Sequence, residues 1–78
     1  MKIVVYGTEW CPDCIRAKRF LNDRKINYEW INIDRDRHAE ATVLKINQGM
    51  RSVPTIVFED GSYLVEPPLH ILEQKFST

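Results

Sequence analysis

The sequence of 78 residues lacks the features that mark several large classes of protein. It carries no net charge at pH 7, because 11 basic residues balance 11 acidic ones, so no long-range field draws it to nucleic acid or to an anionic membrane. Its apolar runs are too short to span a bilayer, and its first residues do not form a secretory signal. We therefore expect a cytoplasmic protein that binds neither nucleic acid nor membranes.

Cysteine and histidine are scarce as well, with two residues of each type. A disulfide between Cys11 and Cys14 would close almost no loop, so it could not stabilise the fold of a small secreted protein. A zinc site needs about four ligands, whereas His38 and His70 stand alone in separate predicted helices. We expect no metal and no cofactor. The absence of repeats, linkers and low-complexity segments predicts a single domain over residues 1–78.

The distinctive stretch of the chain is Trp10–Cys11–Pro12–Asp13–Cys14. It follows a short apolar run and precedes a helical pattern, so Cys11 is predicted to lie at the N-terminus of a helix. Backbone N–H groups are unpaired there and the helix dipole is positive, which favours the thiolate form of a cysteine. Pro12 suits the first helical position, where a missing N–H costs nothing. The pattern therefore predicts that Cys11 is a nucleophile.

Cys14 follows one helical turn later, close enough for an intramolecular disulfide. It shares an apolar stripe with Ala17 and Leu21, so we expect its sulfur to face the core while Cys11 stays reachable. This arrangement predicts a redox dithiol in which Cys11 attacks and Cys14 resolves. The carboxylate of Asp13 disfavours a nearby thiolate and offsets part of the helix effect. The sequence leaves open which of the two effects on the Cys11 thiolate is larger.

Periodicity predicts alternating strands and helices in the first half of the chain and a hairpin in the second. The predicted strands cover residues 3–6, 28–33, 55–59 and 63–65, with an Asp60–Gly61 turn between the last two. The predicted helices run from Pro12 to about Arg24, from a cap at Asp34 or Asp36 to residues 47–49, and onward from Pro67 and Pro68; their apolar stripes include Ala39, Val43 and Ile46, and Leu69, Leu72 and Phe76. The fold class is α/β, with a four-stranded mixed sheet (βαβ then ββα) and three flanking helices.

Two motifs in this order carry a resemblance that covers about residues 2–76. A strand leads into Cys-Pro-x-Cys at a helix start, and Val53–Pro54 precedes the ββα half. This combination resembles the glutaredoxin family of the thioredoxin fold. The resemblance implies a thiol–disulfide oxidoreductase with a cis bond at Val53–Pro54 facing the cysteines. It also implies that the Val53 backbone offers strand-like hydrogen bonds to a bound peptide or thiol.

Glutathione-binding members of the family carry a Gly-Gly pair after the last strand, which this chain replaces with Val65–Glu66–Pro67–Pro68. Residues 47–55 and the Asp60–Gly61–Ser62 turn resemble mycoredoxins and the glutaredoxin-like electron donors of ribonucleotide reductase. We therefore expect weak activity with glutathione. Expected partners are a disulfide-containing protein or a low-molecular-weight thiol, with thioredoxin reductase or ribonucleotide reductase as further candidates, and we expect a monomer.

Six residues are candidates for binding the substrate: Thr8, Trp10, Pro12, Arg51, Val53 and Pro54. Trp10 could shield a mixed disulfide or serve as a structural surface aromatic. Arg51 could pair with a substrate carboxylate or remain a solvated loop cation. Two other functions compete with the oxidoreductase hypothesis. One is a carrier of an iron–sulfur cluster shared between two chains, and the other is an interaction module without redox activity.

Overall fold

A computed structural model describes residues 2–77, so Met1 and Thr78 of the predicted domain 1–78 lie outside the described part. Seven elements follow one another within this range. They are the strand β1 (Val4–Gly7), the helix α1 (Pro12–Asp23), the strand β2 (Glu29–Asn32), the helix α2 (Arg37–Ile46), the strands β3 (Thr55–Val57) and β4 (Tyr63–Val65), and the helix α3 (Leu69–Phe76).

The four strands of the described range form one mixed sheet in the order β2-β1-β3-β4. β1 and β2 are parallel, whereas β3 runs antiparallel to both of its neighbours, β1 and β4. Val5 lies at the centre of the sheet, where it pairs with Trp30 on one side and Ile56 on the other. A helix connects the parallel pair and a tight turn connects β3 to β4, so the predicted fold class of a four-stranded sheet with βαβ and ββα halves is confirmed.

The strand predicted over residues 55–59 is two residues too long, since β3 ends at Val57. The turn begins earlier than the sequence pattern suggests, because the Phe58 N–H donates to the Ser62 carbonyl and the Gly61 N–H donates back to the Phe58 carbonyl. Gly61 has a φ of 91°, a left-handed conformation that glycine adopts without steric cost. The hairpin therefore closes around Phe58 rather than around Asp60 alone.

Helices cover both faces of the sheet, and the apolar cluster on one face is larger than that on the other. α1 and α3 share one face with the larger apolar cluster, in which the rings of Phe20 and Phe58 each lie about 6 Å from that of Phe76. The buried members of this cluster are Ile3, Val5, Ala17, Phe20, Leu21, Ile56, Phe58 and Leu72. α2 covers the other face with a smaller cluster of Ile33, Ala39 and Val43, against which Tyr6 and Val53 pack.

The predicted buried stripe of α3 is wrong at one position. Leu72 is fully buried and Phe76 packs against the core, but Leu69 is 44% exposed. Leu69 is the first residue of the helix, and Cα–Cβ bonds in a helix tilt toward its N-terminus. Its side chain lines a surface pocket beside Arg16 and Phe20 of α1 instead of entering the core.

The two candidate caps of α2 have separate tasks. Asp36 is the cap, because its carboxylate accepts the Ala39 N–H at 3.0 Å. Asp34 lies two residues earlier and binds side chains near the cysteines instead. Within residues 2–77, the helices are too short and too polar for any of them to cross a membrane.

Candidate active site

The sulfur of Cys11 lies at the N-terminus of α1, as the sequence predicts. Cys11 is the cap residue of this helix, with an extended backbone, and Pro12 occupies the first helical position. The Cys14 N–H donates to the Cys11 sulfur over 3.2 Å. The sulfur thus satisfies one of the unpaired donors at the positive end of the helix dipole, and a negative charge on it is stabilised there.

Cys11 is less accessible than the sequence analysis expects, since only 5% of it is exposed. It lies at the floor of an open cleft of about 570 Å³, and its thiol donates to the Val53 carbonyl over 3.7 Å. The cleft is lined by Trp10, Cys11, Pro12, Asp13, Met50, Arg51, Ser52, Val53 and Glu66. The cleft therefore gives a substrate access to a residue that is otherwise almost completely enclosed.

Cys14 is fully buried beneath Cys11. The pKa of the Cys14 thiol is raised to about 12, first by burial and then by its side-chain hydrogen bond to Cys11, while a backbone hydrogen bond from Thr8 acts in the opposite direction. A buried thiol resists ionisation because the thiolate loses its hydration. The resolving position therefore holds a protonated sulfur at neutral pH.

Gly7 provides the space that the Cys14 sulfur occupies. A Cβ atom at this position would lie 2.6 Å from the Cys14 sulfur and 2.7 Å from the Trp30 ring, closer than real side chains approach. The Lys18 ammonium covers Trp30, 3.9 Å from the ring centroid. Cys14 is thus packed between α1 and β1, with the half-buried Trp30 close by.

The loop that faces Cys11 is anchored to α2. The peptide bond between Val53 and Pro54 is cis, as the family resemblance implies. The Asn47 side-chain amide donates to the Thr55 hydroxyl over 3.0 Å, and this hydroxyl donates to the Ser52 carbonyl over 2.8 Å. Thr55 is fully buried. These bonds fix the backbone on both sides of Val53, whose carbonyl accepts from the Cys11 thiol.

A chain of polar side chains ties Trp10 to the opposite wall of the cleft. The Trp10 indole N–H donates to the Asp34 carboxylate over 3.0 Å, and Asp34 also accepts from the Arg51 guanidinium. Arg51 donates in addition to Glu40 over 2.6 Å. The hydrogen bond from Arg51, followed by the one from Trp10, lowers the pKa of Asp34 below its ordinary value of 3.8. Asp34 therefore remains a carboxylate and holds both side chains at neutral pH.

The predicted binding residues fall into two groups. Trp10, Pro12, Arg51 and Val53 line the cleft, whereas Thr8 and Pro54 lie buried behind it. The Thr8 hydroxyl has no hydrogen-bond partner among the described residues. Because its side chain is fully buried, Thr8 cannot contact a substrate in this conformation.

Asp34, Glu40, Met50 and Glu66 belong to the site although sequence reasoning does not select them. The sequence could have placed Asp34 near Trp10. These two residues follow the parallel strands β1 and β2, whose carboxyl ends meet at one edge of the sheet. Glu40 and Met50 come from α2 and the loop after it, and their distance from Cys11 in sequence hides them. Among residues 2–77, no group of three or more His, Cys, Asp or Glu side chains converges as a metal site would require.

Comparison with known proteins identifies the family. The family model described as glutaredoxin matches residues 3–63, which is most of the chain. This chain belongs to the glutaredoxin family. A Mycobacterium tuberculosis protein assigned to the glutaredoxins is 40% identical to it over 65 residues, covering 83% of this chain and 77% of that protein. Mycoredoxin 1 of Corynebacterium glutamicum is 34% identical over 65 residues, covering 83% of this chain and 80% of its own length.

Solved structures of related proteins share the fold of this glutaredoxin. The thioredoxin-like protein BC3987 superimposes with a TM-score of 0.80 at 30% identity, covering 92% of this chain and 96% of that one. The glutaredoxin-like protein NrdH-redoxin from Escherichia coli superimposes with a TM-score of 0.74 at 31% identity, covering 100% of this chain and 97% of that one. The chain therefore has the thioredoxin fold and is a redox protein of the glutaredoxin family.

Proposed function

We propose that this glutaredoxin reduces protein or mixed disulfides through its Cys-Pro-Asp-Cys dithiol. The observation that carries the proposal is the stacking of the two sulfurs. Cys11 caps a helix on the floor of the cleft, and Cys14 lies buried beneath it with its backbone N–H donating to the Cys11 sulfur. Such an arrangement presents one sulfur to a substrate and keeps the second in reserve.

The proposed reaction proceeds in two exchanges. The Cys11 thiolate attacks one sulfur of the substrate disulfide, so that a mixed disulfide forms and the other substrate sulfur leaves as a thiolate. Cys14 then attacks the Cys11 sulfur and releases the second substrate sulfur. The Cys14 proton goes to this leaving thiolate. Two electrons pass from the protein dithiol to the substrate, which ends as two thiols while the protein ends as a Cys11–Cys14 disulfide.

The cleft walls supply the binding surface in this proposal. The backbone around Val53 can hydrogen-bond an extended peptide once the Cys11 thiol no longer occupies the Val53 carbonyl. The indole of Trp10 is 67% exposed and held in place by Asp34, so that it can cover the mixed disulfide. We infer that the protein acts as a monomer in the cytoplasm, on protein disulfides or on low-molecular-weight thiols.

A second candidate is electron donation to ribonucleotide reductase, with thioredoxin reductase as the source of electrons. The segment at Glu66, Pro67 and Pro68 supports it, because the glycine pair of glutathione-binding members is absent there. The related NrdH-redoxin of Escherichia coli is described as having a thioredoxin-like activity profile. A third and weaker candidate is an iron–sulfur cluster carrier, in which Cys11 and Cys14 would need outside thiols as further ligands.

The test compares three reductants in turnover of a small disulfide: glutathione, mycothiol, and NADPH with thioredoxin reductase. We expect weak turnover with glutathione and strong turnover with one of the other two systems. Cys11→Ser should abolish exchange, whereas Cys14→Ser should accumulate a mixed disulfide at Cys11. Exchange that persists in Cys11→Ser would refute the mechanism. Metal analysis after anaerobic purification tests the cluster carrier, which requires bound iron.

A further inference from the structure

The charges around the cleft do not balance, although the whole chain has no net charge. The charged residues that line the cleft are Asp13, Arg51 and Glu66. The Arg51 guanidinium already binds two carboxylates, those of Asp34 and Glu40. Its positive charge is therefore compensated before a substrate arrives, and Arg51 is not a free anchor for a substrate carboxylate.

The two acidic residues of the cleft wall differ in their surroundings. Asp13 pairs with Arg16 over 2.9 Å, one turn along α1. The exposed side chain of Glu66 has neither an ion pair nor a hydrogen bond with the described residues 2–77. The cleft residues and their ion-pair partners together contribute four carboxylates against two guanidinium groups. The cleft is thus an acidic region of a neutral protein, and among residues 2–77 Glu66 is the carboxylate of this set without an ion-pair partner.

Glu66 is attached to a fixed part of the cleft wall. Its backbone N–H donates to the Pro54 carbonyl over 2.8 Å, directly beside the peptide unit that faces Cys11. Its φ of 47° lies in the left-handed region that residues with a side chain rarely adopt. The carboxylate therefore belongs to a fixed part of the cleft that also exposes Cys11.

We infer that Glu66 is a specificity-determining residue, which makes the cleft prefer disulfides flanked by cationic residues and disfavour anionic thiols such as glutathione. This inference rests on the proposed disulfide reduction and adds its substrate class. The chemistry is unchanged, since the protein dithiol still becomes a disulfide while one substrate disulfide becomes two thiols. A single charge about 6 Å from an opposite charge in water changes the rate constant of association by about threefold. This attraction weakens as salt screens it.

The test uses three peptides that differ only beside a single cysteine, which forms a mixed disulfide with 2-mercaptoethanol. Two positions flank the cysteine and carry Lys, Gln or Glu. The pre-reduced protein is mixed with each peptide, and the second-order rate constant of a single turnover is measured. We expect the Lys peptide to react about tenfold faster than the Glu peptide at about 10 mM ionic strength, with the Gln peptide between them, and the ratio to fall below about twofold at about 1 M.

Two variants test whether Glu66 is the source of the preference for cationic peptides. Glu66→Gln should lower the Lys-to-Glu rate ratio by up to about tenfold, because this charge makes the Lys peptide about threefold faster and the Glu peptide about threefold slower. Glu73→Gln removes the same charge from α3, away from the cleft, and should leave the ratio unchanged. The unfolding midpoint of each variant verifies its fold, and the salt dependence of the wild-type ratio tests the preference without any substitution.

The possible results separate this inference from the proposed function. If none of the three peptides is reduced, the proposed function is wrong. If all three react at the same rate, the dithiol mechanism stands and the charge preference is refuted. An unchanged ratio in Glu66→Gln, or an equal loss in Glu73→Gln, would refute the assignment to Glu66.

Discussion

The region around Cys11 and the region around Cys14 have opposite physical characters, although the two residues are one helical turn apart. Cys11 faces an open cleft, where a backbone N–H and a carbonyl contact its sulfur. Cys14 is enclosed by the core beside Gly7 and Trp30, and its pKa is raised to about 12. The difference shows that only the Cys11 sulfur meets a free N–H group at the start of the helix. The ionisation of the second sulfur, that of Cys14, is determined by its burial in the core.

Easy ionisation of Cys14 would contradict the contrast between the two regions most directly. With a pKa of about 12, about one Cys14 in ten thousand would be a thiolate at pH 8. In Cys11→Ser, where burial still acts on Cys14, we expect alkylation by iodoacetamide at pH 8 to be at least about a thousandfold slower than alkylation of Cys11 in Cys14→Ser. Mass spectrometry of quenched samples measures both rates.

Unfolded protein is the control, and both cysteines should react there at similar rates. Comparable rates in the folded variants would contradict the contrast between the two regions. The folded Cys14 thiol also holds its proton more tightly than a thiol with the ordinary pKa of 9.0. The free energy of unfolding of the reduced protein should therefore be maintained below pH 9 and fall as the pH rises from 9 toward 12.

Gly7→Ala tests the packing that surrounds Cys14. The added methyl group would overlap the Cys14 sulfur and the Trp30 ring, and overpacking of this kind costs about 1–3 kcal/mol of unfolding free energy. Urea unfolding of the reduced protein measures the loss. Gly61→Ala is the contrast, since its Cβ meets nothing within 4 Å and its cost comes from the backbone φ of 91°.

The two glycine variants are separated by their effect on Cys14. Gly7→Ala should change the rate at which Cys14 is alkylated, because the added atom lies against its sulfur. Gly61→Ala should leave that rate unchanged. A Gly7→Ala protein with wild-type stability and wild-type Cys14 reactivity would mean that the space beside the sulfur is larger than the structure indicates.

Asp34→Asn tests the cleft side and should have the smallest effect on stability. Asp34 and the two side chains that it connects, Trp10 and Arg51, are exposed, and exposed ion pairs contribute little to folding. We expect an unfolding midpoint close to that of the wild type. The indole of Trp10 should become more mobile, which lowers its fluorescence anisotropy in a Trp30→Phe background. An unchanged anisotropy would show that Asp34 does not hold Trp10.

Acidification offers a second measurement of the same contact. The pKa of Asp34 is lowered from 3.8 by its hydrogen bonds with Arg51 and Trp10. The contact is therefore fully present at neutral pH and should be lost only as the pH falls through this lowered value. Trp10 emission in the Trp30→Phe background should stay constant from pH 7 to pH 4 and change only below that range.

The sequence predicts the fold and the sulfur positions well because local patterns determine both. The strand order follows from alternating elements, and Cys11 lies at a helix start because Pro12 and an apolar stripe begin there. Leu69 is misplaced because a stripe does not reveal which residue lies at the end of its helix. The sequence does not reveal how the cleft limits access to Cys11, because the Val53 carbonyl that contacts its thiol lies 42 residues away.

The pairing of Arg51 is hidden in the sequence for a similar reason. Its partners Asp34 and Glu40 lie 17 and 11 residues earlier, and only the folded sheet edge brings them together. Sequence alone allows either a substrate anchor or a solvated cation, and the structure instead places the guanidinium between two carboxylates. The roles of the predicted binding residues remain predictions.

In the proposed mechanism, the Cys11 sulfur exchanges electrons, and the same sulfur is the acceptor that completes the first turn of α1. A neutral sulfur in a disulfide accepts a hydrogen bond more weakly than a charged thiolate does. If the mechanism holds, every round of oxidation and reduction weakens and restores the hydrogen bond at the beginning of this helix. Hydrogen exchange at the Cys14 amide should report this cycle, with faster exchange in the oxidised protein than in the reduced one.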